Sequence, residues 1–265
     1  MALTAPSPSW LLRAHDIQVP ARLRPLSRAV AAGRRIHIIG PNGAGKSTLQ
    51  GCLAGLQPFR GDLQVLGKPL AAWTPGELAR RRGYLPQLTR SGGSQPVFHY
   101  LCLHQPAAAY EGAAVRAVAT IAGRLALTPM LARPLDALSG GEWQRARLAA
   151  VMLQVWPTLN TDARLLLLDE PVASLDIAQQ VALDQLIALL TAAGLSVLMC
   201  AHDINYTLIH ADEVWLMAQG ELVAAGTAAD VMTPELLAKE FTVSFSQVSA
   251  GGRRWLVPCG GVKGY

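Results

Sequence analysis

The chain has 265 residues, a length that suits one α/β domain or two small ones with a large buried core. Hydrophobic residues make up 51% of it, but Asp184, Gln185 and Gly194 interrupt its most apolar segment, so we expect no membrane-spanning helix and attribute the hydropathy to a buried parallel sheet. The net charge of +5 comes partly from N-terminal arginines, which suit nucleic acid, an anionic membrane or plain solvated surface and identify no partner.

The N-terminal region predicts a cytoplasmic protein, because MALTAPSPSW lacks the charged and apolar stretches of a signal peptide. Residues 10–90 are expected to form the first strands, a phosphate-binding loop and its helix. The four cysteines have no C-x-x-C spacing, which favours reduced thiols over a metal site.

A glycine-rich loop follows the apolar run IHIIG and precedes the helix-like run STLQGCLAGL. It matches G-x-x-x-x-G-K-[ST], in which backbone N–H groups turn onto phosphate oxygens at the N-terminus of a helix. Lys46 can reach the β- and γ-phosphates, and the Ser47 hydroxyl can ligate Mg²⁺. The predicted nucleotide-binding residues are Gly40, Pro41, Asn42, Gly43, Ala44, Gly45, Lys46, Ser47 and Thr48.

Residues 97–157 are rich in Ala and Leu and predict a helical segment. Its last helix begins within the octapeptide LSGGEWQR, Leu138 to Arg145. Ser139 can cap this helix, with Glu142 at the third helical position, and the free N–H groups there form an anion site.

Four leucines followed by Asp169 and Glu170 predict a strand that is buried on both faces and ends in two carboxylates. In parallel sheets, ligands bind at the carboxyl ends of the strands. Asp169 suits a Mg²⁺ ligand, and Glu170 suits a general base that polarises the attacking water.

Residues 163–232 are expected to form alternating strands and helices, with a helix over 176–191 and a hairpin over 213–226 around Gln219-Gly220. Residues 233–265 predict a helix and two strands joined at Gly251-Gly252.

In this order the motifs resemble the ATP-binding cassette (ABC) ATPases, and LSGGEWQR is similar to their signature motif. The resemblance implies that Ser139, Gly140 and Gly141 bind the γ-phosphate of an ATP held by a second subunit. It also implies that Gln87 contacts Mg²⁺ or the water and senses a membrane partner. Asp176 would lie in a loop crossing between subunits, and His202 would hydrogen-bond the γ-phosphate.

The resemblance implies an α/β fold of the P-loop NTPase type, with a mainly parallel core sheet, an antiparallel β subdomain and an α-helical signature subdomain. The chain would be a single nucleotide-binding domain, residues 1–265. We assign residues 10–90 and 163–232 to the ATPase core with its β subdomain, 97–157 to the helical subdomain and 233–265 to a C-terminal helix and hairpin.

The chain departs from the family upstream of the loop, where members usually place an aromatic ring on adenine. Residues 17–24 read IQVPARLR, and Val19, Arg22 and Arg24 are the alternatives for that contact. The segment leaves both ATP and GTP open as the nucleotide.

Within the family, Trp143 in the signature and the runs PVFHYLCLHQ and LDIAQQVALD resemble the ATPase subunits of vitamin B12 (cobalamin) importers. This implies two copies under two permease subunits, at the cytoplasmic face of the bacterial inner membrane, supplied by a periplasmic substrate-binding protein. Haem and iron-siderophore importers are the nearest alternatives. Cassette ATPases that act on DNA or ribosomes are a further alternative, but they usually fuse two cassettes or insert a coiled coil, so no nucleic-acid partner is expected.

Overall fold

Strands and helices alternate along the computed structural model, which describes residues 10–87, 93–107 and 111–259. Parts of the predicted segments, residues 1–9, 88–92, 108–110 and 260–265, lie outside these ranges. The strands are β1 (Leu12–Val19), β2 (Leu23–Val30), β3 (Arg35–Ile39), β4 (Arg60–Val65), β5 (Lys68–Pro69), β6 (Arg82–Leu85), β7 (Leu165–Asp169), β8 (Ser196–Cys200), β9 (Glu213–Ala218), β10 (Glu221–Gly226), β11 (Ser244–Ala250) and β12 (Arg253–Cys259). The helices are α1 (Lys46–Leu53), α2 (Pro75–Arg81), α3 (Val97–Leu103), α4 (Glu111–Arg124), α5 (Gly140–Gln154), α6 (Ile177–Ala192), α7 (Ile204–His210), α8 (Ala228–Val231) and α9 (Pro234–Phe241).

The central sheet has the order β10-β9-β3-β8-β7-β6, and all neighbouring strands except β10 and β9 are parallel. Alternate residues of β7 enter different cores. Leu165 and Leu167 pack with α1 and the antiparallel sheet, whereas Leu166 and Leu168 pack with α5 and α6. Because both faces are covered, β3, β7 and β8 are buried throughout, which confirms the predicted mainly parallel sheet.

The register aligns the carboxyl ends of the three central strands. Cys200 at the end of β8 pairs with Ile38 of β3 and with Asp169 of β7. The chain therefore leaves β3, β7 and β8 at one edge of the sheet, and enters the glycine-rich loop, Glu170 and His202 there.

An antiparallel sheet of order β2-β1-β4-β5 packs beside this core. The β1–β2 turn approaches two glycines, since the Arg22 carbonyl oxygen lies 3.0 Å from an ideal Cβ at Gly45 and 2.9 Å from one at Gly220. Gly220 belongs to the predicted hairpin of β9 and β10, whose turn residues Gln219 and Gly220 have φ of 49° and 78°. The turn of the antiparallel sheet is thus held against the glycine-rich loop.

Helices α3, α4 and α5 share one apolar core with α6, while the tail packs in a separate core with residues of β3 and β9. The tail forms the expected helix α9 and the hairpin of β11 and β12 around Gly251-Gly252. The division of the chain into an ATPase core, a helical subdomain and a tail remains a prediction. Across residues 10–87, 93–107 and 111–259, none of the helices combines the length and apolarity needed to cross a bilayer.

Candidate nucleotide site

The glycine-rich loop connects β3 to α1 through backbone conformations that glycine favours. Gly40, Gly43 and Gly45 have φ of 147°, 78° and 95°. A Cβ at Gly40 would lie 2.0 Å from the carbonyl oxygen of Met217, so a side chain cannot fit there without displacing β9. The loop can therefore keep its N–H groups turned toward an anion at the start of α1.

Lys46 is buried inside this loop. Its Nζ donates hydrogen bonds to the carbonyl oxygens of Gly40, at 2.8 Å, and Pro41, at 3.0 Å. Burial lowers the pKa of the ammonium group, while the nearby Cys200, Glu170 and Asp169 raise it. An ammonium group has three donors, so Lys46 can offer one to a phosphate oxygen while the loop orients it.

Asp169 lies beneath the loop with 2% of its surface exposed. Burial raises the pKa of its carboxyl group, whereas hydrogen bonds from the Ser47 hydroxyl and the Cys200 thiol lower it. Its Oδ1 is buried without a hydrogen-bond partner among the described residues, a situation that costs about 1–3 kcal/mol. A bound cation would satisfy this oxygen.

Glu170 and His202 meet at the edge of the sheet. Oε1 of Glu170 lies 2.6 Å from Nε2 of His202, and both side chains are partly exposed. Glu170 has a φ of 50°, a left-handed conformation that costs a non-glycine residue about 1–2 kcal/mol. Such strain is concentrated at functional sites, and here it turns the carboxylate toward the ligand edge of the sheet.

One open cleft of about 1270 Å³ collects most of the predicted residues. Its lining includes residues 42–48 of the loop, Gln87, Glu170 and His202. Residues 18–25 and Gln219-Gly220 also line it. Ser139, Gly140, Gly141 and Asp176 are not part of this lining, so one chain brings together only part of the predicted set.

The signature residues begin α5, as expected. Ser139 Oγ accepts a hydrogen bond from the Glu142 backbone N–H at 3.3 Å, and Glu142 Oε2 accepts one from the Ser139 N–H at 2.7 Å. Hydrogen bonding to the Ser139 backbone is the main reason why the pKa of Glu142 is lowered. The capping box leaves Ser139 and Gly140 exposed at the helix start.

The loop before α6 lies against the signature residues. A Cβ at Gly141 would lie 2.8 Å from the carbonyl oxygen of Ser174, whose φ is 65°. Asp176 caps α6, since its Oδ1 accepts a hydrogen bond from the Gln179 N–H at 2.8 Å, and this confirms the predicted cap. Two exposed segments predicted to reach a second subunit are thus adjacent.

The three residues considered for the adenine contact, Val19, Arg22 and Arg24, differ in how free their side chains are to bind a ligand. All three line the cleft, but Val19 is buried and Arg24 forms an ion pair with Glu221. Arg22 is exposed, lines the cleft and has no side-chain hydrogen bond or ion pair within the described ranges. Arg22 is the alternative left free to contact a base.

Two buried polar residues of α5, Gln144 and Arg147, are not among the residues predicted from the sequence. Gln144 donates to the carbonyl oxygen of Pro171, next to Glu170, and Arg147 donates to the carbonyl oxygens of Pro86 and Gln87. Their spacing of three residues within an Ala- and Leu-rich helix was the available signal, because it places both on one face.

Comparison with known proteins agrees with this geometry. The "ABC transporter" family model matches residues 23–173. "Vitamin B12 import ATP-binding protein BtuD" of Pectobacterium atrosepticum is 50% identical over 246 residues, which cover 93% of this chain and 98% of the relative. The protein of the same name from Escherichia coli O157:H7 is 44% identical over 249 residues, covering 94% of this chain and 98% of that one.

The fold likewise occurs in solved structures. An ATP-binding subunit of an ABC transporter superposes with a TM-score of 0.75 at 24% identity, over 87% of this chain and 93% of that one. This likeness concerns the fold alone. Together with the family model, which spans more than half of the sequence, the close relatives show that the chain belongs to the ABC transporter family.

Proposed function

We propose that this chain is the ATP-hydrolysing subunit of a membrane importer whose cargo is vitamin B12. The observation that carries the ATPase role is the cleft that places the phosphate loop, Gln87, Glu170 and His202 around one cavity. Similarity over nearly the whole length to proteins named for vitamin B12 import supports the cargo and favours it over haem or iron-siderophores.

Mg²⁺ fits the donor set of the site. The buried Asp169 Oδ1 lacks a partner among the described residues, Ser47 hydrogen-bonds the same carboxylate, and Gln87 lines the cleft. These are hard oxygen donors, and the nucleotide's phosphates would complete the coordination. Asp169, Ser47 and Gln87 would hold the ion, which would neutralise the negative charge that develops on the phosphates during hydrolysis.

Glu170 is proposed as the general base for the attacking water. A carboxylate at the end of β7 can accept a proton from a water that attacks in line with the scissile bond. His202 holds Glu170 by the 2.6 Å hydrogen bond and also faces the cleft, where it would hydrogen-bond the γ-phosphate. Lys46 would bind the β- and γ-phosphates from the loop.

Two copies are proposed to close head to tail on two ATP molecules. Ser139, Gly140 and Gly141 of one copy would bind the γ-phosphate held by the other, and Asp176 would cross the interface. Their exposure outside the cleft supports this arrangement. ATP would drive closure only through its higher affinity for the closed dimer, and hydrolysis would release it.

Two permease subunits are the proposed membrane partners, at the cytoplasmic face of the inner membrane, with a periplasmic substrate-binding protein upstream. The proposed docking surface runs from Gln87 to Tyr100, of which residues 88–92 lie outside the described ranges. Phe98 is 43% exposed on α3 and supplies an apolar contact there.

Glu170→Gln tests the role of Glu170 as the general base. We expect ATP binding to persist, because the loop is intact, and turnover to fall at least about a hundredfold, as for loss of a general base. ATP binding and phosphate release would be measured beside Glu235→Gln, an exposed residue of α9. Normal turnover in Glu170→Gln would remove this residue from the role.

Uptake of labelled cobalamin tests the cargo. Cells that lack this chain should lose uptake, and the native chain should restore it while Glu170→Gln does not. Restored uptake of haem or an iron-siderophore without any effect on cobalamin would contradict the proposed cargo.

A further inference from the structure

Three polar side chains of α5 are buried, and two of them, Gln144 and Arg147, lie on one face of the helix. Gln144 is 1% exposed and Arg147 is 5% exposed, in a helix whose other buried residues are mostly Ala, Leu and Val. A buried charge is costly unless its donors are satisfied, so this placement calls for a physical reason.

The contacts of this Gln144–Arg147 pair supply the reason. Arg147 donates to the carbonyl oxygen of Pro86 at 2.6 Å and to that of Gln87 at 3.2 Å. It also donates to Gln144 Oε1 at 3.0 Å, which turns the amide so that Nε2 donates to the carbonyl oxygen of Pro171 at 3.1 Å. One continuous hydrogen-bond chain thus runs from the backbone of Gln87 to the residue after Glu170.

The guanidinium group makes this chain strong. Its fork of donors fits several acceptors at once, and hydrogen bonds from a charged donor are about twice as strong as neutral ones. Within the described ranges no carboxylate pairs with Arg147, so its buried positive charge is stabilised by the carbonyl oxygens that accept its hydrogen bonds. Displacing α5 relative to either loop would leave these buried groups unpaired.

We infer that Gln144 and Arg147 are positioning residues that couple the signature helix to Gln87 and Glu170. The inference rests on the proposed function, in which Ser139 at the start of α5 binds ATP of the second copy. When α5 moves to meet that ATP, the two side chains move with it. Their hydrogen bonds then carry the loop of Gln87 and the loop after Glu170 along with the helix. Gln87 and Glu170 then reach their working positions together with the signature contact.

Arg147→Met tests the coupling, because methionine keeps apolar bulk but removes every donor. Arg145→Met is the matched control: Arg145 lies on the same helix, is 7% exposed and donates to the carbonyl oxygens of Leu125 and Ala126, at 3.0 and 2.9 Å, away from the cleft. Both variants of the full chain would be compared for thermal midpoint, ATP affinity and steady-state ATPase activity.

We expect Arg147→Met to lower kcat about tenfold or more while KM for ATP changes less than about twofold, because the phosphate loop is untouched. Arg147→Lys should recover part of kcat. Arg145→Met should lower the thermal midpoint by a similar amount yet keep kcat within about twofold of the native chain. Equal loss of kcat in Arg147→Met and Arg145→Met would overturn the inference.

Gln144→Met gives a second route if Arg147→Met does not fold. We expect the same loss of kcat, and the double variant should be no worse than the more affected single one, because both changes break one chain of bonds. Additive losses would overturn the coupling. Failure of the proposed function is distinguishable, since it would appear as absence of ATP hydrolysis by the native chain, before any variant is compared.

Discussion

At Lys46, Asp169 and Glu170 the fold provides a separate environment for each charge. The ammonium group is enclosed by loop carbonyls, and burial lowers its pKa. The Asp169 carboxyl group is buried with one oxygen unpaired among the described residues, and burial raises its pKa. Glu170 remains partly exposed beside His202. These surroundings suit a phosphate ligand, a cation ligand and a water-activating base.

Arg22→Ala tests whether the Arg22 side chain contacts the nucleotide base. A guanidinium group stacked on a base at an exposed site contributes about 0.5–1 kcal/mol, so KM for ATP should rise about two- to fivefold. Because Arg22 is assigned to the nucleotide base and not to the γ-phosphate, kcat at saturating ATP should remain unchanged. Steady-state kinetics would be compared with Arg24→Ala, whose side chain pairs with Glu221. A larger rise in Arg24→Ala would contradict the assignment.

Among the elements, α7 contributes to a partly buried polar cluster, formed by Arg35, His37, Asp184, Tyr206 and His210 on β3, α6 and α7. Tyr206 OH lies 2.7 Å from an Arg35 nitrogen and 2.6 Å from Asp184 Oδ1. His37 stacks on Tyr206 with ring centres 5.5 Å apart. Since α7 begins two residues after His202, the cluster also positions the C-terminal end of the loop that contains His202.

This cluster predicts acid sensitivity. Burial, then Arg35 and His210, lower the pKa of His37 well below 6.5, so below about pH 6.5 the unfolded chain binds a proton that the folded chain does not. The free energy of unfolding should therefore fall with decreasing pH, by up to about 1.4 kcal/mol per pH unit for this group. Urea unfolding at several pH values measures the slope.

His37→Gln should make that slope shallower, whatever it does to stability at neutral pH. The same replacement at exposed His15 is the control and should leave the slope unchanged. An identical slope in His37→Gln and the native chain would show that His37 does not cause the acid sensitivity.

The whole molecule presents half of each proposed ATP site. The cleft holds the phosphate loop and Glu170, while the start of α5 and the cap of α6 lie outside its lining. Gly141 and Ser174 bring the outward-facing segments side by side. A rotational dimer would pair each cleft with the partner's exposed segments, so that one interface completes two sites.

Glu170→Gln should form a stable dimer in ATP, visible by size-exclusion chromatography. Adding Ser139→Arg should abolish the dimer and leave ATP binding by the monomer, because the arginine obstructs only the partner's phosphate. Ser249→Arg, on the exposed hairpin, is the control and should keep the dimer. Persistence of the dimer, or loss of ATP binding with Ser139→Arg, would contradict the shared site.

Local patterns were sufficient to predict the elements that carry the site. The glycines of the loop, the apolar run before Asp169 and the cap at Ser139 each depend on neighbours in sequence, so spacing alone indicated the strand ends and helix starts where they lie. Assignment of Gln87 and His202 depended on resemblance, because a lone glutamine or histidine has no local pattern that identifies its role.

Tertiary structure decided which distant groups meet. Strand order brings Glu170 within 2.6 Å of His202, the ion pair of Arg24 leaves Arg22 as the free cation at the cleft within the described ranges, and the inner face of α5 joins Arg147 to Gln87. The sequence by itself determined which functional groups lie on which strand end, loop or helix start, because strand, helix and turn propensities are local. Their pairing required the fold, since contacts between residues far apart in the chain depend on how strands and helices pack.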